Sequence, residues 1–248
     1  MDRNHSRALR QRLESLAAAG VIQIPKAPGP RPADRRTAAN EVRPSGATRP
    51  ATVSIPDEPE TDRVRDLRIL HQQVADCTAC GELAAARTTT VFGAGPPDAR
   101  ICFFGEAPGA DEDASGQPFV GRAGQLLTKI IEACSLRRED VYILNVLKCR
   151  PPGNRPPEAE EIANCRRYFE RQFEVISPGY ICCLGTTAAQ SLLQTVEPIG
   201  KLRKRWFTYG SAKVICTYHP SYLLRNPAAK RDVWDDVRMM MADMGVEL

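Results

Sequence analysis

From about residue 62 onward, short apolar runs alternate with stretches in which apolar side chains recur every three or four positions. The runs at 100–106, 141–146, 180–185 and 213–218 are largely apolar and close on Gly, Asn or a polar turn, as buried strands do. Between them, 123–134, 157–173 and 186–193 carry helical periodicity. So do a first stretch with Val64, Leu67, Leu70 and Val74, and a last one over 231–244. Pro157 with Glu158, Glu160 and Glu161 fits a helix start, because proline has no N–H to lose there and acids favour the positive end of the helix dipole. Buried strands separated by helices predict an α/β domain with a four-stranded parallel sheet and right-handed crossovers.

Residues 1–63 follow no such pattern. They contain no aromatic residue, the first being Phe92, and Pro and Arg recur between Ala, Thr and Ser. Such a segment buries too little apolar area to offset its ordering entropy, so a disordered arm is expected, with the folded domain over 64–248. Leu9, Leu13 and Leu16, followed by Gly20, read as a short helix near 5–19. A docking helix for a protein partner and a marginal helix without a role both fit it.

Four predicted strands end in polar or special residues: Gly105-Glu106, Asn145, Gly185 and His219-Pro220-Ser221. In a parallel sheet these ends share one edge, where open α/β sheets bind ligands. The stretch Gly105-Glu106-Ala107-Pro108-Gly109-Ala110-Asp111-Glu112-Asp113 is therefore a candidate pocket wall, although an acidic surface turn has the same look.

A net charge of +4 permits an anionic partner without demanding one. No apolar run is long enough to span a membrane, and the polar N-terminus lacks the apolar core of a secretory signal, so a cytoplasmic location is expected. Nine cysteines in a reducing compartment point to metal ligation or buried thiols. Cys77 and Cys80 form a CxxC pair, with Cys149 and Cys165 available further on. Four thiolates suit either a [4Fe-4S] cluster or a tetrahedral zinc ion, and the spacing does not choose between them. Cys102, Cys134, Cys182, Cys183 and Cys216 fall in apolar elements and read as core.

Taken together, Gly105-Glu106-Ala107-Pro108-Gly109, Pro118-Phe119-Val120-Gly121, Asn145, His219-Pro220-Ser221-Tyr222-Leu223-Leu224-Arg225 and the four cysteines resemble the family 4, iron–sulfur uracil-DNA glycosylases. The resemblance covers about residue 66 to the C-terminus. It implies a three-layer α/β/α fold and a [4Fe-4S] cluster on Cys77, Cys80, Cys149 and Cys165. It also implies uracil in single- or double-stranded DNA as substrate, excised to leave an abasic site in base excision repair.

By that resemblance Phe119 stacks on the pyrimidine, and Asn145 pairs with O4 and N3–H of uracil through an amide that both donates and accepts. His219 would stabilise the negative charge that develops on uracil O2. Ser221 and the backbone near Pro108 and Pro220 would hold phosphate, Leu223, Leu224 and Arg225 would probe the duplex, and Arg203, Lys204 and Arg205 would either meet phosphates or form a solvated basic turn. Gly105, Ala107 and Glu112 complete the expected substrate wall. Glu106 is the expected water-orienting carboxylate, with Glu112 the alternative, because Ala107 stands where many superfamily members carry Asp. No lysine lies in these motifs, so a monofunctional hydrolase without a lyase step is expected. An iron–sulfur damage-binding module without turnover, and a polymerase-associated protein acting through its arm, are the rival expectations. A monomer is expected.

Overall fold

A computed structural model describes residues 61–248. The expectations for the arm and for a helix near 5–19 lie outside the described residues. Helix α1, Asp62–Ala75, begins two residues before the expected domain start, with Thr61 as its N-cap. Its buried Leu67, Leu70 and Val74 are the periodic positions of the sequence. The short α2, Gly81–Ala86, follows Cys80 directly.

The sheet consists of β1 (Ile101–Gly105), β2 (Tyr142–Asn145), β3 (Tyr180–Leu184), β4 (Phe207–Tyr209) and β5 (Ala212–Thr217), in the order β2-β1-β3-β5-β4. The expected four strands are present and mutually parallel. The correction is a fifth: β4 pairs antiparallel with β5 at the edge. Phe207, Thr208 and Tyr209 are strand formers and Gly210 closes them, but three residues are too short to stand out as a run.

Because strand side chains alternate between faces, the sheet has two separate cores. Cys102, Phe104, Leu144, Ile181, Cys183, Val214 and Cys216 pack on one side with α1, with α5 (Ala159–Ile176) and with α6 (Thr186–Leu193). Ile101, Phe103, Ile143, Cys182, Leu184 and Ile215 pack on the other with α4 (Arg122–Ala133) and α9 (Lys230–Asp243). These are the three layers. The remaining helices are α3 (Ala110–Ser115), α7 (Ile199–Leu202) and α8 (Pro220–Arg225).

Helix α5 starts at Ala159, not at Pro157. Glu158 is its N-cap, and Glu161 reaches back to accept from the Glu158 N–H at 2.8 Å, satisfying an end donor that the dipole also favours. Among the described residues, no helix is long and apolar enough to cross a membrane.

Candidate active site

β1 and β2 run side by side with Gly105 in register with Asn145. A Cβ added at Gly105 would lie 2.4 Å from Asn145 Oδ1 and 2.5 Å from Phe119 Cζ, so only glycine lets the amide and the ring meet there. Asn145 is 1% exposed, and its Oδ1 has no hydrogen-bond partner. A buried acceptor left open costs stability, and a ligand that donates to it removes that cost. Its backbone carbonyl is held by Lys148 Nζ at 2.8 Å. Lys148 is itself buried and also donates to the Phe92 carbonyl at 3.2 Å; burial pushes its ammonium down to about 7.

Phe119 is buried with φ of 53°, a left-handed conformation that a bulky residue adopts only when its surroundings impose it. Glu112 imposes it from one side. Oε1 accepts from the Val120 and Gly121 N–H groups at 2.8 and 2.9 Å, and Oε2 accepts from Gly109 N–H at 3.1 Å. Arg138 imposes it from the other, donating to the Pro118 carbonyl at 2.6 Å and to Thr128 Oγ1 at 3.1 Å. Gly124 on α4 lets the helix close over the loop, since a Cβ there would collide with the Phe119 carbonyl.

His219 follows β5 and caps α8. Its Nδ1 accepts from the Ser221 backbone N–H at 3.1 Å and lies 2.8 Å from Ser221 Oγ. The Phe119 and His219 rings are 5.6 Å apart between centroids. Gly185, at φ of 92°, gives the histidine room: an added Cβ would lie 2.9 Å from His219 Cβ. Burial, and then the Arg225 charge, push the imidazole down to about 4, against a smaller upward pull from Glu112.

These groups line one cleft of about 530 Å³. Glu106, Ala107, Glu112, Phe119, Asn145, His219, Ser221 and Arg225 all border it, while Gly105 sits beneath Asn145 and Phe119. Glu106 accepts a short hydrogen bond at Oε2 from Thr187 Oγ1, at the start of α6. Glu112 does bound the cleft, but its three backbone N–H partners commit its carboxylate to holding the loop.

Several expectations need correcting. Leu223 is 1% exposed and belongs to the core, whereas Leu224, at 38%, faces outward. Arg203 is neither a phosphate contact nor part of a solvated turn: it is buried, with Nε 2.6 Å from Asp236 Oδ2. Lys204 and Arg205 pair with Asp235 and Glu197 at 3.8 and 3.1 Å. Thr187, Arg138 and Lys148 carried no motif. Only Lys148, a charge inside the apolar stretch after Asn145, offered a signal.

The four cysteines sit where α1 meets α2, after β2, and on α5. Cys149 and Cys165 are buried, Cys77 and Cys80 half-buried. Donors point at their sulfurs: Arg87 at Cys149 Sγ (3.1 Å), Asn164 at Cys80 Sγ (3.6 Å) and the Lys148 backbone N–H at Cys165. Burial raises the thiols of Cys80, Cys149 and Cys165, the last to about 11, while these donors pull the other way. Among the described residues, no three His, Cys, Asp or Glu side chains are gathered closely enough to hold one metal ion. A four-iron cluster, with one thiolate on each iron, holds its ligands further apart than one ion does, and an all-cysteine set with N–H donors to sulfur fits it.

The family model of the uracil DNA glycosylase superfamily matches residues 92–238. The chain is similar to the type-4 uracil-DNA glycosylase of Thermotoga maritima, 47% identical over 69% of this chain and 91% of that one. It is similar to those of Archaeoglobus fulgidus (44%, over 67% and 87%) and Saccharolobus solfataricus (43%, over 70% and 84%). With the matched span covering both the Gly105–Gly121 segment and the His219 turn, the chain belongs to the uracil DNA glycosylase superfamily and, within it, to the type-4 glycosylases.

Proposed function

We propose that this chain excises uracil from single- or double-stranded DNA by hydrolysing its N-glycosidic bond, leaving an abasic site for base excision repair. The observation that carries this is the open acceptor of Asn145, buried over Gly105 beside the Phe119 ring. A nucleotide extruded from the stack brings a base to that position. Uracil presents N3–H to Oδ1 and O4 to the amide N–H. Cytosine presents a bare N3 and an amino donor, which leaves buried polar groups facing their like.

Cleavage sends the C1′–N1 electron pair into the uracil ring, largely onto O2, while the sugar gains oxocarbenium character. A neutral His219 whose Nδ1 accepts from Ser221 N–H carries its proton on Nε2, and that N–H is the donor for O2. Neutrality suits the task because the donor stabilises charge without giving up its proton. Glu106, fixed by Thr187, orients the water that attacks C1′ and takes its proton. Among the described residues no lysine lines the cleft, which supports hydrolysis without a Schiff base.

In the same proposal Cys77, Cys80, Cys149 and Cys165 hold a [4Fe-4S] cluster. When bound, it cross-links α1, the segment after β2 and α5. That segment, through Pro151, Asn154 and Arg155, forms part of the cleft wall. Arg155 is pinned there by Glu161 at 2.7 and 2.9 Å and by Glu82 at 2.8 Å. The chain acts as a monomer in the cytoplasm: Glu106, Phe119, Asn145 and His219 line one cleft of one chain, and none of the nine cysteines is joined in a disulfide.

Release of uracil by wild type and Asn145→Ala tests the reading. The variant should lose roughly 5- to 150-fold in kcat/KM, the cost of about 1–3 kcal/mol for one unmade buried hydrogen bond. Equal rates would sink it.

A further inference from the structure

The hydrolysis leaves one buried charge pair without a task. Asp236 is wholly buried and accepts from Arg203 Nε and Thr217 Oγ1, each at 2.6 Å. Arg203 also donates to the Asp232 carbonyl at 2.6 Å and lies 3.3 Å from its carboxylate. Burying such a pair is costly and at best repays itself, so it is weak as a stabilising device. What it does is fix the plane of the guanidinium. That guanidinium lies over the Tyr218 ring, 4.3 Å from its centroid. Tyr218 in turn lies against Tyr222, with centroids 4.9 Å apart and planes 34° from each other.

The result is a stack of three flat groups, Arg203, Tyr218 and Tyr222, anchored in the core at one end. Its outer member, Tyr222, is 38% exposed. Tyr222 stands one turn after His219 on α8, its N–H bonded to the His219 carbonyl at 2.9 Å. Ser221 and Arg225 on either side of it line the cleft, but Tyr222 does not. It therefore stands on the same turn of α8 as two cleft residues, outside the cleft that takes the extruded base.

We propose that Tyr222 is a stacking platform for the base next to the extruded uracil on the same strand. Extrusion strips one face of that neighbour of its stacking partner, and a rigid aromatic ring beside the cleft replaces it. Base–aromatic stacking of this kind tolerates any sequence, because every base has a π-face. The inference rests on the uracil-excision reading and adds a contact outside the base pocket.

The test uses full-length protein and oligonucleotides with 2-aminopurine beside the uracil. Wild type, Tyr222→Ala and Tyr222→Phe are compared for KM, kcat, 2-aminopurine fluorescence and inhibition by free uracil. Loss of the ring should raise KM roughly 5- to 150-fold, the worth of one stacked base, with a smaller change in kcat. It should also make 2-aminopurine brighter on binding than it is with wild type, because the base left unstacked by extrusion is no longer quenched by the ring, and leave inhibition by free uracil as in wild type, while Tyr222→Phe keeps wild-type values. An Ala variant with unchanged KM and unchanged fluorescence overturns the platform while uracil release by wild type keeps the broader reading. Failure of wild type to release uracil overturns both.

Discussion

The Ser221 backbone N–H donates to Nδ1 of His219 at 3.1 Å, two residues away across the start of α8. A backbone N–H is an obligatory donor, so this contact decides which ring nitrogen carries the proton in the neutral form. Burial keeps the ring neutral by pushing it down to about 4, and Arg225 adds to the effect.

Excision should therefore hold steady as pH falls from neutral through 6.5, the ordinary histidine value, and drop only toward about 4. Stability follows the same group. Between pH 6.5 and about 4 the unfolded chain takes up a proton that native His219 refuses, so stability present above 6.5 is lost as pH falls through that window. Melting temperature against pH should fall more steeply for wild type than for His219→Gln. Parallel curves would contradict the placement.

Gly105→Ala should abolish excision while the chain still folds. The added methyl lies within 2.6 Å of both Asn145 Oδ1 and the Phe119 ring, so the two groups that read the base are pushed apart. Loss of uracil release with a cooperative thermal transition is the expected pair of results; normal release would show that the two groups need not meet.

Glu112→Gln tests the loop clamp. The carboxylate serves three N–H groups, and a carboxamide turns an N–H donor toward at least one of them. Denaturant unfolding should register a loss of about 1–3 kcal/mol, and KM should rise because Phe119 is no longer held at its left-handed φ. A variant with wild-type stability would mean that the loop holds itself.

Cys165→Ser, purified anaerobically, should lose iron and visible absorption and melt at lower temperature. Cys182→Ala should keep the absorption, since Cys182 lies wholly buried in β3 with its thiol pushed well above the ordinary value by burial. Retention of iron by Cys165→Ser would remove that residue from the cluster.

Which parts of this were legible in the sequence follows from how far each signal reaches along the chain. The parallel strands were legible because each is an apolar run, and their shared edge because Gly105, Asn145 and His219 each end one. The three-residue β4 was less so: Phe207, Thr208 and Tyr209 favour a strand, but three residues before Gly210 are too few to make a run. Arg203 looked like surface because Lys204 and Arg205 flank it, and only the fold brings Asp236, 33 positions away, against it. Leu223 and Leu224 are alike as letters, but a helix turns adjacent residues about 100° apart, so one enters the core and the other leaves it. Glu112 borders the cleft as the motif implies, but its hold on the Gly109, Val120 and Gly121 N–H groups is not legible, because backbone partners leave no mark in a motif.

The most direct measurement is uracil release from a single-stranded oligonucleotide and its U·G duplex by anaerobically purified wild type and His219→Ala. Removing a preorganised donor to a developing anion costs about 10²–10³-fold in kcat. The account predicts release by wild type and a loss of that order in the variant, with no strand cleavage before alkali or heat. Release undiminished in His219→Ala, or none from wild type carrying its cluster, would contradict it.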